Sequence, residues 1–196
     1  RGAYTLPMHG RHNLQNALAV ATLAFTEGCS STQISEGFAS WEGMKRRQEV
    51  RGEAGGVLVI DDFAHHPTAV RATINGLRDA YPDRRLIAIF EPRSNSSRRK
   101  VFESAYGDAL AAADVAYLKA PPVRHNDDAD AMLDPAVVVG TIAEHDVPAT
   151  GVDDTDELLE HLQADLRSGD LAVIMSNGSF DGLHDRLLDT LRRSGH

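Results

Sequence analysis

The spacing of hydrophobic positions near the start of the chain is helical. Residues 12–27 carry apolar side chains three and four positions apart, and Gly28 follows as a typical helix stop. A second short helix is predicted directly afterwards, with Ser30 or Ser31 as its N-cap. We therefore expect residues 1–47 to be mainly helical.

From residue 48 onward, strand and helix patterns alternate. Residues 48–63 contain two strand-like runs around a glycine turn, which predicts a β-hairpin. The later apolar runs are continuous, as is typical of parallel strands covered by helices on both faces. The sequence therefore predicts an α/β fold, with a Rossmann-like, mostly parallel sheet that has helices on both faces and follows the helical segment. Further strands are predicted at 85–91, 114–120, 147–152 and 171–177, and further helices at 66–81, 97–113, 134–145, 154–169 and 180–193.

Composition and charge exclude several classes of protein. The 196 residues carry a formal net charge of −9, which argues against binding to nucleic-acid polymers. The single cysteine, Cys29, rules out an internal disulfide and fits a reducing cytoplasm. The apolar runs are too short to cross a membrane, and the opening residues do not resemble a signal peptide. The opening "RGAYTLPMHGRHN" instead indicates the interior of a longer protein.

Polar side chains follow four of the predicted strands at the points where those strands end. In such sheets ligands bind at the carboxyl ends of the strands, and helix N-termini there favour anions. A ligand with phosphates or carboxylates is therefore expected, and Arg93 and Arg124 could pair with a carboxylate. Each group alone could equally be ordinary turn chemistry. The four groups are Asp61, Asp62, His65 and His66; Glu91 to Ser96; Lys119, Pro121, Pro122, Arg124 and His125; and Ser176 to Phe180.

The group that follows the hairpin has two chemical interpretations. Asp62, His65 and His66 could bind zinc or manganese, or the aspartate could bind a ribose while the histidines orient a phosphate or a carboxylate. A purely structural alternative is that Asp62 caps the next helix and His65 packs against it. Spacing alone leaves these alternatives open. Nucleotide binding is favoured because the neighbouring "EPRSN" segment offers only Glu91 as a further metal ligand.

Five stretches resemble the Mur ligase family. "GRHNLQNALAVATLA" (10–24) resembles its Gly-x-His-Asn-x-x-Asn-x-Leu-Ala segment, and "KRRQEV" (45–50) its arginine-containing junction between central and C-terminal domains. "DDFAHHPTAV" (61–70) resembles its Asp-Asp-Tyr-Ala-His-His-Pro motif, with phenylalanine in place of tyrosine. "EPRSNSSR" (91–98) and "MSNGSFDGLHDRLL" (175–188) are similar to the family member that acts on a tripeptide.

The resemblance implies an ATP- and magnesium-dependent ligase of peptidoglycan recycling. Such an enzyme joins UDP-N-acetylmuramate to L-Ala-γ-D-Glu-meso-diaminopimelate through an acyl phosphate. Residues 1–47 would be the last helices of the central ATP-binding domain, and residues 48–196 would be the C-terminal domain. The phosphate loop and most magnesium ligands would lie outside this chain, so this part alone is expected to be inactive. The implied partners are these small molecules, with no nucleic-acid polymer and no membrane.

The resemblance also assigns roles to individual residues. Arg47 is the catalytic candidate, because it resembles the junction arginine that reaches the ATP phosphates. No metal ligand is assigned within this chain. The residues expected on the ATP side are His12, Asn13, Asn16, Arg47 and Asp62. The residues expected on the peptide side are His65, His66, Arg93, Ser94, Asn95, Arg124, Ser176, Asn177 and Ser179.

Three other functions stay open at this point. The nearest is the Mur ligase that adds L-alanine to the same acceptor, since it shares the Asp-Asp-x-Ala-His-His-Pro motif. A second is a metal-dependent phosphoesterase that uses Asp62, His65 and His66 as ligands. A third is a ligand-binding module without catalytic activity.

Overall fold

A six-stranded sheet with helices on both faces forms the centre of the fold. The computed structural model describes residues 3–122, 125 and 128–194. The strands are β1 (Glu49–Ala54), β2 (Val57–Asp62), β3 (Leu86–Glu91), β4 (Val115–Lys119), β5 (Ala149–Val152) and β6 (Leu171–Ser176). The helices are α1 (Arg11–Thr26), α2 (Ser31–Ala39), α3 (Pro67–Ala80), α4 (Glu103–Leu110), α5 (Pro135–Ala143), α6 (Thr155–Asp165) and α7 (Leu183–Ser194).

The strand order is β1-β2-β6-β3-β4-β5. Strands β1 and β2 form the predicted antiparallel hairpin, and every other neighbouring pair is parallel. Every residue of β2, β3 and β6 is buried, which explains why these strands appear in the sequence as apolar runs. The predicted α/β class and the mostly parallel sheet are therefore confirmed. Strand β6 is the last in sequence, yet it lies between β2 and β3.

The two faces of the sheet have separate hydrophobic cores. Helices α3, α4 and α5 cover one face, where Ile60 and Phe90 pack with Ile74 of α3. Helices α6 and α7 cover the other, where Val59 packs with Leu187 of α7. Because consecutive residues of a strand point to opposite faces, neighbours at the end of β2 reach different surroundings.

Helices α1 and α2 precede the sheet and cover less of the first 47 residues than predicted. Helix α2 begins with a capping box, in which the Ser30 hydroxyl accepts from the Gln33 N–H and the Gln33 side chain accepts from the Ser30 N–H. Residues 40–48 form a non-helical linker, in which Arg46 and Gln48 have positive φ angles of 59° and 52°. The expectation of a mainly helical segment is therefore wrong for this linker.

The start of α1 meets the middle of α3 at a pair of glycines. A Cβ atom on Gly76 would lie 2.9 Å from the Gly10 Cα, so no larger side chain fits between the two backbones. Gly10 also has a φ of +93°, which favours glycine. This close approach fixes where α1 stands relative to the sheet.

The predicted helix at 97–113 is shorter in the structure. A turn at residues 94–97 precedes it, in which the Ser94 Oγ accepts from the Ser97 N–H at 3.0 Å. A short 3₁₀ turn at Lys100–Phe102 then leads into α4. Serine side chains compete in this way with regular helical hydrogen bonds. None of the helices in the described part of the chain has the length and apolarity needed to span a bilayer.

Candidate active site

Asp61 and Asp62 end β2 and point to opposite faces of the sheet. On one face, Asp62 accepts hydrogen bonds from the Gln48 N–H at 2.9 Å, the Ala64 N–H at 2.8 Å and the Thr73 hydroxyl at 3.2 Å. Burial raises the pKa of Asp62, and these hydrogen bonds offset only part of that effect. Asp62 is thus a rigidly held carboxylate that fastens the linker residue Gln48 to the end of β2.

On the other face, Asp61 lies among basic side chains. The His184 Nε2 is 3.3 Å from the Asp61 Oδ1, and the Arg46 Nε and an Arg51 nitrogen lie 3.4 Å and 3.9 Å from the Oδ2. Burial acts to raise the pKa of Asp61, but the contact with His184 and the charges of both arginines lower it overall. Asp61 is therefore a buried structural anion on the face that α7 covers.

A cavity of about 1070 Å³ lies between α1, α2, α3 and the end of β2. Its volume is sufficient for a mononucleotide, since small-molecule sites span about 300–1,000 Å³. Apolar side chains that include Val20, Phe38 and Trp41 form much of its wall. All five residues expected on the ATP side line this cavity, namely His12, Asn13, Asn16, Arg47 and Asp62.

Two polar residues of the cavity differ in how they are held. Asn13 is buried, and its Nδ2 donates to the His9 carbonyl at 2.7 Å, which leaves its Oδ1 as an acceptor. Arg47 is exposed, and its guanidinium lies 5.7 Å from the centre of the Phe63 ring. Within the described residues Arg47 forms no ion pair, so its charge can meet an anion in the cavity.

The two histidines after β2 have different positions. His66 is the N-cap of α3, where its Nδ1 accepts from the Thr68 N–H at 3.4 Å, and it also lines the cavity. His65 does not line it; its Nδ1 lies 3.0 Å from the Phe63 carbonyl. The structural alternative that Asp62 caps α3 is wrong, because His66 occupies that position.

A second polar group surrounds the ends of β3, β4 and β6, centred on Glu91. The Ser176 hydroxyl donates to the Glu91 Oε2 at 2.7 Å, and the Lys119 Nζ lies 3.3 Å from the Oε1. Lys119 also donates to the Asp181 Oδ2 at 2.7 Å, and the resulting hydrogen bond lowers the pKa of Asp181. The Arg93 guanidinium lies 3.9 Å from the same Glu91 oxygen. A buried carboxylate thus ties three strand ends together.

Arg93 lies directly across the turn that follows β6. A Cβ atom on Gly178 would be 2.2 Å from the Arg93 Cδ, so only glycine leaves room for the arginine here. The neighbouring Asn177 has a buried Oδ1 without a hydrogen-bond partner among the described residues. Arg93, Ser176 and Asn177 are therefore together at one turn, as the strand-end rule predicts.

The other residues expected on the peptide side are spread more widely. Ser94 stabilises its own turn through Ser97, whereas Asn95 and Ser179 are exposed. Arg124 lies outside the described residues. In the described part of the chain, no three or more His, Cys, Asp or Glu side chains form a group that could hold a metal ion. The ligands that the phosphoesterase alternative requires are thus not brought together.

Three contacts of this region were not predicted from the sequence. Arg46 binds main-chain oxygens of the last residue of β6 and of the turn after it, Gln48 fixes Asp62, and Lys119 joins Glu91 to Asp181. In the "KRRQEV" segment, Arg46 and Gln48 are visible as polar neighbours of Arg47, but the sequence does not show which distant residues they contact. Lys119 was visible only as one of several polar residues at a strand end.

Comparisons with known proteins agree with this fold. Residues 46–178 match the family described as "Mur ligase, glutamate ligase domain". The chain belongs to the Mur ligase family, as the sequence motifs had indicated. It spans about two fifths of the length of the two curated relatives described next.

Two kinds of ligase are similar to the chain to nearly the same degree. The UDP-N-acetylmuramate–L-alanyl-γ-D-glutamyl-meso-2,6-diaminoheptandioate ligase of Escherichia coli is 36% identical over 189 residues, which cover 94% of this chain and 38% of that protein. The UDP-N-acetylmuramate–L-alanine ligase of a Roseiflexus species is 34% identical over 193 residues, covering 98% and 40%. Identity alone therefore does not separate the two activities.

Some solved structures also have clear sequence similarity to the chain. A murein peptide ligase from Psychrobacter arcticus is 32% identical and has a TM-score of 0.73, covering 96% of this chain and 38% of that chain. A UDP-N-acetylmuramate–alanine ligase from Thermotoga maritima has a TM-score of 0.78 at 19% identity, covering 97% and 40%. The second likeness concerns the fold alone.

Proposed function

We propose that the whole protein is an ATP-dependent ligase that joins UDP-N-acetylmuramate to the tripeptide L-Ala-γ-D-Glu-meso-diaminopimelate, in the recycling of peptidoglycan. In this proposal the sugar carboxylate attacks the γ-phosphate of ATP and forms an acyl phosphate, and ADP leaves. The peptide amine then attacks the acyl carbon, and inorganic phosphate leaves. The observation that carries the proposal is that Arg47 lines a nucleotide-sized cavity while its neighbour Arg46 binds the turn that holds Asn177, across which Arg93 lies.

The cavity supports the ATP half of the reaction. Its apolar wall suits a base, and Asn13 offers the Oδ1 that its bond to His9 leaves available. Asp62 is held ready to accept from a ribose hydroxyl, since carboxylate oxygens have further lone pairs beyond those used here. Arg47 is an exposed cation at the same wall, where it would stabilise charge that develops on the phosphates.

The turn after β6 supports the peptide half. Arg93 carries a planar guanidinium that suits a peptide carboxylate, and Glu91 restrains its direction. Asn177 adds an acceptor without a partner among the described residues, which suits a peptide amide or ammonium group. We propose that His65 and His66, which follow the end of β2, line the path of the incoming amine.

Magnesium would neutralise the phosphates during transfer. The described residues of this chain contain no group suited to hold it, so we propose that its ligands lie in other parts of the enzyme. We likewise propose that residues 1–47 belong to the central ATP-binding domain and residues 48–196 to the C-terminal domain. The exposed Leu14, Leu18 and Leu23 of α1 support a further packing partner for that helix. A cytoplasmic location remains part of the proposal, because of the single cysteine.

The proposal is tested by phosphate release from ATP with the whole protein and UDP-N-acetylmuramate. L-alanine is offered in one reaction and the tripeptide in another. Turnover with the tripeptide alone supports the recycling ligase. Turnover with neither amine would reject ligase activity on this acceptor.

The L-alanine ligase is the second candidate, because a relative with that name is 34% identical to the chain. Turnover with L-alanine alone in the same assay would establish it. The segments "EPRSN" and "MSNGSF" favour the tripeptide enzyme, since both resemble that member of the family. They also supply Arg93 and Asn177 to the turn.

A further inference from the structure

The side chain of Arg46, the residue before Arg47, makes its main contacts beyond β2, at the end of the neighbouring strand β6. Its Nη2 donates to the Ser176 carbonyl at 2.5 Å and to the Gly178 carbonyl at 2.7 Å. These two carbonyls flank Asn177 in the chain. One side chain of the linker therefore holds the turn that carries the peptide-side residues.

The same guanidinium is fixed from two other directions. Its Nε lies 3.4 Å from the Oδ2 of buried Asp61, and its Cζ lies 5.1 Å from the centre of the Phe63 ring. Asp61 is in turn 3.3 Å from the His184 Nε2 of α7. Because the anion and the ring are both part of the β2 segment, the guanidinium cannot leave the turn without losing these contacts as well.

The backbone of Arg46 is held as firmly as its side chain. Its φ of 59° is disfavoured for a residue with a Cβ, so its neighbours must maintain it. The Arg46 N–H donates to the Glu49 Oε2 at 2.7 Å, and the Arg46 carbonyl accepts from the Phe63 N–H at 2.8 Å. On the other side of Arg47, the Gln48 N–H is bonded to Asp62. Arg47 therefore projects from a short segment with both ends fixed to β2.

We propose that Arg46 is a positioning residue that joins the Arg47 segment to the Ser176–Gly178 turn, so that the phosphate-side and peptide-side groups move as one body. This inference rests on the proposed roles of Arg47 and Asn177.

The test uses the whole ligase with Arg46→Gln, which removes the charge and the fork of donors. We expect the peptide KM to rise about tenfold and kcat to fall, because the turn loses the charged donor that holds its two carbonyls. The KM for UDP-N-acetylmuramate should not change. Arg46→Lys should recover part of the loss, since an ammonium keeps the charge but lacks the planar fork.

Arg51→Gln is the matched control. Arg51 lies 3.9 Å from the same Asp61 but pairs with Asp185, away from the turn. We expect it to leave the peptide KM unchanged. Hydrogen exchange of the amides at 176–179, measured by mass spectrometry, should become faster in Arg46→Gln and not in Arg51→Gln.

The outcomes separate the inference from the proposed function. If Arg46→Gln only lowers thermal stability, with unchanged KM values and unchanged exchange at 176–179, the inference is overturned. If Arg46→Gln does not fold, Arg46→Lys decides by the same two measurements. If the wild-type enzyme turns over neither amine, the proposed function fails, while the exchange data still decide whether Arg46 holds the turn.

Discussion

Replacing Gly178 with alanine should damage peptide binding without damaging the fold. The new Cβ would lie 2.2 Å from the Arg93 Cδ, 2.7 Å from the Nε and 3.1 Å from the Cζ. Ordinary contact begins at 3.4 Å, so the arginine must retreat by about 1 Å. All three atoms belong to the flexible part of its side chain, and Gly178 does not have a positive φ that would strain alanine.

The expected magnitudes for this substitution differ between stability and binding. The free energy of unfolding should change by less than about 1 kcal/mol, as for other substitutions that displace only a flexible side chain. If Arg93 binds a peptide carboxylate, the loss of one charged hydrogen bond corresponds to about 1.5 kcal/mol or more, which is about tenfold in the peptide KM. The assay is phosphate release by the whole ligase at saturating ATP and UDP-N-acetylmuramate, with the tripeptide varied.

Gly140→Ala is the control for this experiment. Gly140 is in α5, and a Cβ there would contact nothing within 4 Å. It should leave the peptide KM unchanged and raise stability slightly, since alanine favours helix. A normal peptide KM in Gly178→Ala, together with a raised one in Arg93→Ala, would refute the reasoning about this turn. A normal KM in both variants would refute the assignment of Arg93 to the peptide.

Three further predictions concern the cavity and the stability of the fold. Gly76→Ala should weaken ATP binding, measured by calorimetry on the whole ligase, because its Cβ would push the Gly10 backbone and α1 away from α3 and so alter the cavity that both helices line; the matched control is again Gly140→Ala. In the folded state the pKa of Asp61 is lowered below its usual value of 3.8. The ionised Asp61 should therefore stabilise the fold above pH 3.8, and this stabilisation should be lost as the pH falls further. Asp61→Asn should accordingly destabilise the fold against urea more at pH 7 than at pH 3. Ser30→Ala should cost about 1 kcal/mol in the same unfolding assay, because it removes the capping box of α2.

Each of these expectations has a result that would contradict it. Unchanged ATP affinity in Gly76→Ala would mean that α1 can shift without altering the cavity. An Asp61→Asn effect that is equal at both pH values would mean that the folded and unfolded states bind protons alike at this residue. A normal unfolding midpoint in Ser30→Ala would show that α2 frays before the sheet unfolds.

The sheet could be predicted from the sequence because its strands are buried on both faces. Runs such as "LIAIF" and "LAVIM" leave no polar position for solvent, and such runs are typical of parallel strands. The glycine pair at 55–56 equally indicated the hairpin. The start of α4 was not predictable by periodicity, since a local serine hydrogen bond replaces the helix there.

The sequence predicted which residues belong to the candidate site more completely than it predicted the contacts that those residues make. Strand ends and family motifs together indicated Asp62, Arg93 and Asn177. They could not show that Arg93 needs the space above Gly178, or that Arg46 binds carbonyls 130 and 132 residues away in sequence. Such contacts depend on the order of strands in the sheet, which the pattern of apolar positions does not determine.

The position of β6 in the middle of the sheet has a consequence for how the chain folds during its synthesis. During synthesis β1–β2 and β3–β4–β5 emerge first, but neither group can join the other, because β6 lies between β2 and β3. The nascent chain therefore exposes two unpaired strand edges until residue 176 has been translated, and such edges invite aggregation. The residues that complete the sheet also open the turn at Ser176–Gly178. We therefore expect the core to close and the peptide-side turn to assemble together, late in folding, and a chain that stops before β6 should fail at both.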